Sequence, residues 1–350
     1  MENETIEIGY TNPVYAGYMA DPFVWRHNAD YYAVGTGPAE AAGEIADAEQ
    51  AASAMLGRFR IFPLLQSDDL VNWRHTLGAL TPPDPALGDT YWAPEAAYNN
   101  GEFYLYFSVG RADKQHQLRV ALSNHPAGPS EDSGKALVDP GKNPFAIDAH
   151  PFKDDDGQWY LFYATDFLDV SDSARPGTAL VVDRMVNMTT LAGEPRTVAR
   201  AQHDWQRFQS NREMYGELWD WHTLEGPSVV KHDGRYYCFF SGGRWDSDRY
   251  GVDYCTADNP LGPWESSGSA DGPRVLKSVP GEVLGPGHNS VVLGPDNQTQ
   301  FLVYHAWDPL HTSRQMFIDP LIWTPNGPRC YGPTHIPQTI RSAVSRQDRL

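Results

Sequence analysis

Residues 224–243 read LEGPSVVKHDGRYYCFFSGG and carry the pattern from which the fold of this 350-residue chain is predicted. An acid precedes Gly-Pro, a short β-rich run follows, Asp-Gly marks a hairpin turn, and an aromatic run suits a buried strand. Four more copies of the pattern read DPFVWRHNADYYAVGTG from Asp21, PEAAYNNGEFYLYFSVG from Pro94, IDAHPFKDDDGQWYLFYATD from Ile147 and GHNSVVLGPDNQTQFLVYHAW from Gly287. Five copies in one chain predict a repeat architecture.

The composition favours an all-β protein. Hydrophobic residues make up 41% of the chain and aromatic residues 12%, which is enough for a large core, and 31 Gly and 28 Pro supply turns between short strands. Five units give roughly 70 residues each, whereas a four-stranded propeller blade needs ~40–50. We therefore predict that residues 1–350 form one domain, a five-bladed β-propeller with surplus residues in its loops.

The charge of the chain limits its partners. The formal net charge is −18, from 45 acidic residues against 27 Lys and Arg. This field repels nucleic acid and anionic membrane surfaces, so we expect a neutral or cationic partner, although an acidic surface also serves solubility. The N-terminal MENETIEIGY has neither a basic region nor an apolar run, which predicts a cytoplasmic protein, or a secreted one if a leader has been removed.

Two segments interrupt the repeat, and three cysteines lack metal-site spacing. Residues 38–57 are rich in Ala and Glu, which predicts a short helix or a mobile loop. Residues 199–223 contain several tryptophans directly before Glu225, which predicts either a helix packed on the blade edge or a lining of the pocket. Cys238, Cys255 and Cys330 are predicted to be free, buried thiols.

One polar residue opens each copy of the repeat. The innermost strand of a propeller blade lines the central channel, so these residues are predicted to converge on one mouth, and they are Asp21, Glu95, Asp148, Glu225 and His288. Asp21, Asp148 and Glu225 are carboxylates at strand starts. Glycosidic hydrolysis needs a general acid and a general base, which carboxylates supply when their environments separate their pKa values. A third carboxylate nearby holds the acid protonated through like-charge repulsion.

From about Asp21 to Trp323 the chain resembles glycoside hydrolase family 43, the five-bladed propeller glycosidases that act on arabinose- and xylose-containing glycans. The resemblance implies that Asp21 in ADPFVW is the general base and that Glu225 in LEGPSV is the general acid. It also implies that Asp148 in FAIDAHPF orients the acid and raises its pKa. Ala-His-Pro-Phe replaces the usual Pro-Ser of the family here, which leaves the role of His150 open.

The resemblance also implies substrate contacts. Trp92 in YWAPE matches a Trp that walls the subsite of the released sugar, although blade packing is the alternative, and Arg314 matches a sugar-contacting Arg. His288 in Gly-Pro-Gly-His matches a histidine beneath the sugar, often near a calcium ion in the channel. His288 is therefore the predicted metal contact, or else a hydrogen-bonded structural histidine. Glu95 either binds a sugar hydroxyl or caps a strand.

These features together predict an inverting, exo-acting glycosidase. We expect an α-L-arabinofuranosidase that releases single sugars from arabinan or arabinoxylan oligosaccharides, with a shallow pocket walled by the two insertions. A β-xylosidase and then an endo-arabinanase are the alternatives within the same resemblance. A non-catalytic carbohydrate-binding propeller is the alternative from another class, but it would not need three carboxylates in register. The sequence leaves the oligomeric state open.

Overall fold

The structure is a computed structural model that describes residues 4–38, 60–170, 175–266 and 268–344. Apart from Pro38, the segment 38–57, for which we predicted a helix or a loop, lies outside these residues. The described parts of the chain fold into antiparallel sheets that surround a central channel as five blades. They contain no helix with the length and hydropathy of a membrane span.

The first two blades are regular four-stranded antiparallel sheets in chain order. The strands of the first blade are β2 (Ala20–His27), β3 (Asp30–Thr36), β4 (Leu64–Ser67) and β5 (Arg74–His75). Those of the second blade are β6 (Thr90–Asn99), β7 (Glu102–Arg111), β8 (Lys114–Ser123) and β9 (Glu131–Ala136). A short 3-10 helix, Pro85–Leu87, precedes the second blade and begins with Pro, whose fixed φ suits the first helical position.

The third and fourth blades share an additional contact. The third blade comprises β10 (Ala146–Lys153), β11 (Trp159–Phe167), β12 (Gly177–Asn187), β13 (Thr190–Leu191) and β14 (Arg196–Ala199). The fourth comprises β15 (Arg207–Met214), β16 (Glu217–His232), β17 (Arg235–Gly242) and β18 (Gly251–Ala257). Strand β12 also pairs in parallel with β16 over two residue pairs. The outer edge of β18 makes isolated bridges to Glu265 and Leu276.

The fifth blade and the chain termini close the ring. The remaining strands are β19 (Leu284–Leu293), β20 (Gln300–Trp307), β21 (Arg314–Thr324) and β22 (Gly327–Cys330) in the blade, with β1 (Glu4–Tyr10) and β23 (Gln338–Val344) at the termini. β1 and β23 pair antiparallel, and Tyr10 and Ile340 from this pair are buried against the first and fifth blades. The two ends of the chain therefore seal the junction at which the ring closes.

Hydrophobic clusters fill the junctions between the blades. Each of the five clusters combines side chains of two neighbouring blades, as Val34 and Leu105 do between the first and second. Because aromatic strands supply both faces of every junction, burial of their large apolar areas stabilises the ring. Cys238 and Cys255 lie opposite each other on β17 and β18 as free, buried thiols, as predicted. Cys330 is also free but only half-buried.

The innermost strand of every blade contains the same irregularity. Two of its residues lie opposite one residue of the second strand, which is a β-bulge, and the first of the two has a positive φ. These left-handed residues are Asp21, Ala93, Asp148, Gly226 and His288, with φ between 43° and 59°. Non-glycine residues adopt this conformation rarely and at a cost, so neighbouring contacts must hold it.

Side chains of the preceding blade provide those contacts. The amides of Ala93, Asp148 and His288 donate to hydroxyl groups, and that of Asp21 donates to a histidine nitrogen; the acceptors are Thr36, Ser108, Ser241 and His305, respectively. All four acceptors occupy the same position on the second strand of their blade. Ala164 occupies this position in the third blade and has no acceptor, so the amide of Gly226 donates to the carboxylate of Asp148 instead.

The insertion at residues 199–223 differs from one of its predicted forms. It forms a short 3-10 helix, Asp204–Gln206, followed by a β-hairpin of β15 and the first half of β16, so the prediction of a packed helix was wrong. Trp205 and Trp221 are buried, as blade packing requires. β15 pairs with β16 at five of its positions, with two interruptions in register, so the sheet supplies backbone hydrogen bonds that a helix would have made internally.

Candidate active site

The inner-strand bulges bring the predicted carboxylates together at one mouth of the channel. A cavity of about 140 Å³ opens there, and its walls are Asp21, Trp92, Ile147, Asp148, Glu225, Trp245, His288 and Arg314. Larger cavities of about 420 and 590 Å³ lie outside this mouth. The convergence of Asp21, Asp148 and Glu225, rather than cavity volume, therefore identifies the candidate site.

The register of the repeat differs from the prediction at two positions. Asp21, Asp148 and His288 are equivalent left-handed residues, but Ala93 and Gly226 are their counterparts in the other two blades. Glu225 lies one position earlier and Glu95 two positions later than expected. Glu225 directly precedes the bulge of its strand, as Trp92 does in the second blade, and both side chains line the cavity. Glu95 follows the bulge and does not line the cavity.

Glu95 is a buried link between blades. Its Oε2 lies 2.7 Å from Nδ1 of His150, and Nε2 of His150 accepts a hydrogen bond of 3.0 Å from the amide of Val229. Because Nε2 is an acceptor, Nδ1 carries the proton and donates to Glu95. Glu95 therefore neither reaches the candidate sugar pocket nor caps a strand, which corrects both interpretations, and this contact also provides a role for His150.

Asp21 is surrounded by groups that favour its ionised form. Burial alone would raise its pKa, but His288 and Arg314 outweigh burial, and a 2.7 Å hydrogen bond from the Thr36 hydroxyl acts in the same direction. The pKa of Asp21 is therefore held well below its usual range. Burial also lowers the pKa of His305 far below its ordinary value, so the ring that accepts the Asp21 amide is neutral at pH 7.

The pKa of Glu225 is shifted upward, opposite to that of Asp21. Burial raises its pKa to about 7 and the nearby charge of Asp21 acts in the same direction, against a 2.7 Å hydrogen bond that Tyr250 donates to its Oε1. Gly287 makes this bond feasible, because a Cβ there would lie 2.1 Å from the Tyr250 ring. Glu225 can therefore carry a proton at neutral pH while Asp21 remains ionised.

Asp148 is influenced by both Asp21 and Glu225. Burial and the neighbouring carboxylates Glu225 and Asp21 raise its pKa well above the ordinary value. Its Oδ2 accepts a 2.9 Å hydrogen bond from the amide of Gly226, the residue that follows Glu225. This bond opposes the rise in pKa and ties the Asp148 carboxylate to the backbone that carries Glu225.

Aromatic and cationic side chains form the walls of the cavity. The Trp92 ring stacks on His116 with a centroid separation of 3.6 Å, which supports it at the wall. The guanidinium of Arg314 lies 3.5 Å from Oδ1 of Asp21 and 4.6 Å from the centre of the Trp245 ring. Trp92 therefore both packs between strands and presents an aromatic surface, and Arg314 supplies a fixed positive charge beside Asp21.

Sequence reasoning missed several residues of the site. Thr36, Tyr250, Trp245 and His305 contact or surround the predicted carboxylates but do not open a copy of the repeat. A signal existed for Thr36 and His305, because both lie at equivalent positions close to the end of the aromatic strand of their copy. Trp245 and Tyr250 lie in a connection between strands, where the repeat has no pattern to reveal them.

The described residues do not assemble a calcium site around His288. Nδ1 of His288 lies 3.3 Å from Oδ1 of Asp21, and the described part of the chain contains no group of three or more His, Cys, Asp or Glu that could hold a metal ion. Calcium takes six to eight oxygen ligands, and an imidazole supplies none. The calcium ion remains a prediction from resemblance.

Comparison with known proteins identifies the family. The model of glycosyl hydrolases family 43 matches residues 10–328. The chain belongs to glycosyl hydrolase family 43. As a family 43 member it is a glycoside hydrolase, and the predicted five-bladed propeller is confirmed by a solved thermostable family-43 glycoside hydrolase. That structure is 30% identical in sequence to this chain and has a TM-score of 0.76. The match covers 96% of this chain and 100% of the solved structure.

Two curated relatives of this family 43 enzyme act on different furanosides. A β-D-galactofuranosidase of Aspergillus niger is 31% identical over 309 residues, which are 84% of this chain and 75% of that protein. An extracellular exo-α-(1→5)-L-arabinofuranosidase of Streptomyces avermitilis is 24% identical over 349 residues, which are 93% of this chain and 63% of that protein. The chain therefore spans less than two thirds of the Streptomyces enzyme.

The structural role of Glu95 leads to a prediction. Glu95→Ala leaves the buried Nδ1–H of His150 without an acceptor, so the free energy of unfolding is expected to fall by about 2–4 kcal/mol. Denaturant unfolding measures this change. Glu95→Gln is the control, since its amide oxygen still accepts the hydrogen bond and the loss should be smaller. An increase in KM without loss of stability would instead place Glu95 in substrate binding.

Proposed function

We propose that the protein is an inverting, exo-acting α-L-arabinofuranosidase that releases terminal arabinofuranosyl residues from arabinan or arabinoxylan oligosaccharides. The observation that carries this proposal is the opposite pKa shift of two carboxylates at one mouth. Asp21 is held ionised, and burial raises the pKa of Glu225 to about 7. Two carboxyl groups with separated pKa values can act as the general acid and the general base of glycoside hydrolysis.

The proposed reaction assigns one role to each carboxylate. Glu225 donates its proton to the glycosidic oxygen as the bond to the anomeric carbon breaks. Asp21 removes a proton from a water molecule, whose oxygen attacks the anomeric carbon from the opposite face, so the released sugar has the inverted configuration. Asp148 orients the backbone beside Glu225 through Gly226, and the proximity of the two carboxyl groups disfavours the ionisation of both at once.

The size of the cavity supports cleavage from a chain end. Its volume of about 140 Å³ is small beside the ~300–1,000 Å³ of typical ligand pockets. A space of this size suits one monosaccharide, with Trp92 and Trp245 as apolar surfaces for sugar C–H groups and Arg314 as a hydrogen-bond donor to hydroxyl groups. A polymer passing through the site, as in an endo-arabinanase, would need a longer open cleft.

Two furanosides fit the comparisons. The Streptomyces relative is named for α-L-arabinofuranose, whereas the Aspergillus relative is named for β-D-galactofuranose. These glycosides share the ring configuration, and galactofuranose has one additional CHOH group in its exocyclic chain. We favour arabinofuranose because it needs less space in a small cavity. The β-D-galactofuranosidase is the second candidate, because the Aspergillus enzyme has 31% identity to this chain.

A panel of 4-nitrophenyl glycosides tests the substrate. The α-L-arabinofuranoside is expected to have the highest kcat/KM, above the β-D-galactofuranoside and the β-D-xylopyranoside. Proton NMR of the first product formed from arabino-oligosaccharides should show the anomer opposite to that of the substrate. Hydrolysis of the galactofuranoside alone would replace the sugar in the proposal, and retention of configuration would refute the mechanism.

Substitutions separate the acid from the base. Glu225→Gln is expected to lower kcat/KM on arabino-oligosaccharides by about 10²–10⁴-fold, because their leaving group needs a proton. Its activity on 4-nitrophenyl arabinofuranoside should largely survive, since nitrophenolate leaves without protonation. Asp21→Asn should lose activity on both substrates, and azide would be the replacement nucleophile in a rescue experiment. Equal losses for Glu225→Gln on both substrates would contradict its assignment.

The hydrogen bond from Tyr250 predicts a shift in pH dependence. The acid works only when protonated, so kcat/KM should fall as pH rises through the Glu225 pKa of about 7. Tyr250→Phe removes a hydrogen bond that favours the ionised carboxylate, so the basic limb should move to higher pH by about 0.5–1 unit. Tyr98→Phe, remote from the mouth, is the control. A shift to lower pH would contradict the predicted effect of this bond.

A further inference from the structure

A groove of about 420 Å³ lies on the mouth side of the propeller beside the candidate active site. One wall is the tip of the β15–β16 hairpin, with Glu213, Met214 and Tyr215, and the other contains Lys114, Gln115 and Phe145. We propose that this groove binds the leaving-group side of the glycan, that is, the neutral sugar residues that follow the scissile bond. This inference rests on the proposed glycosidase function and assigns a second binding region to it.

Strand continuity places both walls on the mouth side. The strand β16 that carries Glu225 begins at Glu217, so its first residues and the hairpin tip extend beyond the mouth. On the other wall, Trp92 pairs with Ser108 of β7, and β7 continues past this pair to the turn before Lys114. The groove therefore begins where the inner strands leave the channel.

A row of rings connects the cavity to the groove. Trp92 lines the cavity and stacks on His116, whose ring meets Phe145 edge-on at a centroid distance of 5.9 Å. Phe145 then lines the groove. His116 is buried, so it does not contact a glycan itself but holds Trp92 of the cavity and Phe145 of the groove on neighbouring parts of the mouth.

Tyr215 provides a rigid surface at the hairpin tip. Tyr215 is 48% exposed, and its hydroxyl donates a 2.7 Å hydrogen bond to Oδ2 of the half-buried Asp166. Tyr215 and Gly216 form the two-residue turn, and both have positive φ, a conformation in which Asn or Gly is favoured at the first position. The tyrosine at this position is explained if its ring has a function in the groove.

The chemistry of the groove suits a neutral saccharide. Phe145, Met214 and Tyr215 offer apolar surface to the C–H faces of a sugar ring, and Lys114, Gln115 and Glu213 offer hydrogen-bonding groups to its hydroxyls. The ion pair between Arg212 and Asp113, at 2.8 Å, connects the two walls. This ion pair and the pairing of β15 with β16 limit the motion of the hairpin wall, which reduces the entropy lost on binding.

The test compares two substrates in a variant of Tyr215. Tyr215→Ala is expected to lower kcat/KM on α-1,5-arabinotriose by about tenfold, through loss of an aromatic surface. On 4-nitrophenyl α-L-arabinofuranoside, which has no sugar beyond the scissile bond, kcat/KM should stay within about twofold of the wild type. Met214→Ala should show the same substrate-dependent loss at smaller size.

Controls separate ring contact from folding. Tyr98→Ala removes a tyrosine that is also 48% exposed but lies on β6 away from the groove, so both substrates should be unaffected. Tyr215→Phe keeps the ring and should keep most of the activity on arabinotriose. Equal effects of Tyr215→Ala on the two substrates, or no effect on either, would overturn the groove proposal. A wild type inactive on both substrates would instead refute the proposed function.

Discussion

The hydrogen bond between a left-handed residue of each inner strand and the neighbouring blade organises this molecule. Asp21, Ala93, Asp148 and His288 direct their amides to side chains of the preceding blade. Each bond offsets the cost of a positive φ and fixes the height at which the next strand enters the channel. Residues far apart in sequence thus reach one mouth at the same level, which is the condition for a site built from several blades.

The one departure from this pattern falls at the proposed acid. The side chain of Ala164 cannot accept a hydrogen bond, so the amide of Gly226 donates to the carboxylate of Asp148 instead. This bond holds the Asp148 carboxylate beside Glu225. Three ionised carboxylates at one mouth would repel one another, and the unequal surroundings of the three acids reduce this repulsion. Cationic and donor groups surround Asp21, whereas burial dominates at Glu225, so one acid stays ionised and another keeps its proton.

The same strand connects chemistry to substrate length. β16 carries Glu225 in its inner-strand portion, and the residues before it form the hairpin that walls the proposed groove. A rigid strand transmits the position of one region to the other, because its backbone is hydrogen-bonded on both sides, to β15 and then to β17. In the proposed function, a change in the length of this hairpin would alter the groove and leave the carboxylates in place.

The sequence by itself determined the five-bladed fold and the three carboxylates, because aromatic strands and turn residues recur with local periodicities that a linear pattern records. Only the tertiary structure decided the register, since a bulge adds a residue without any composition signal. Glu95, which the sequence pattern placed at the mouth, therefore lies in a buried contact with His150. Contacts between blades, such as Tyr250 with Glu225, were likewise decided only in three dimensions, because packing rather than sequence spacing brings these side chains together.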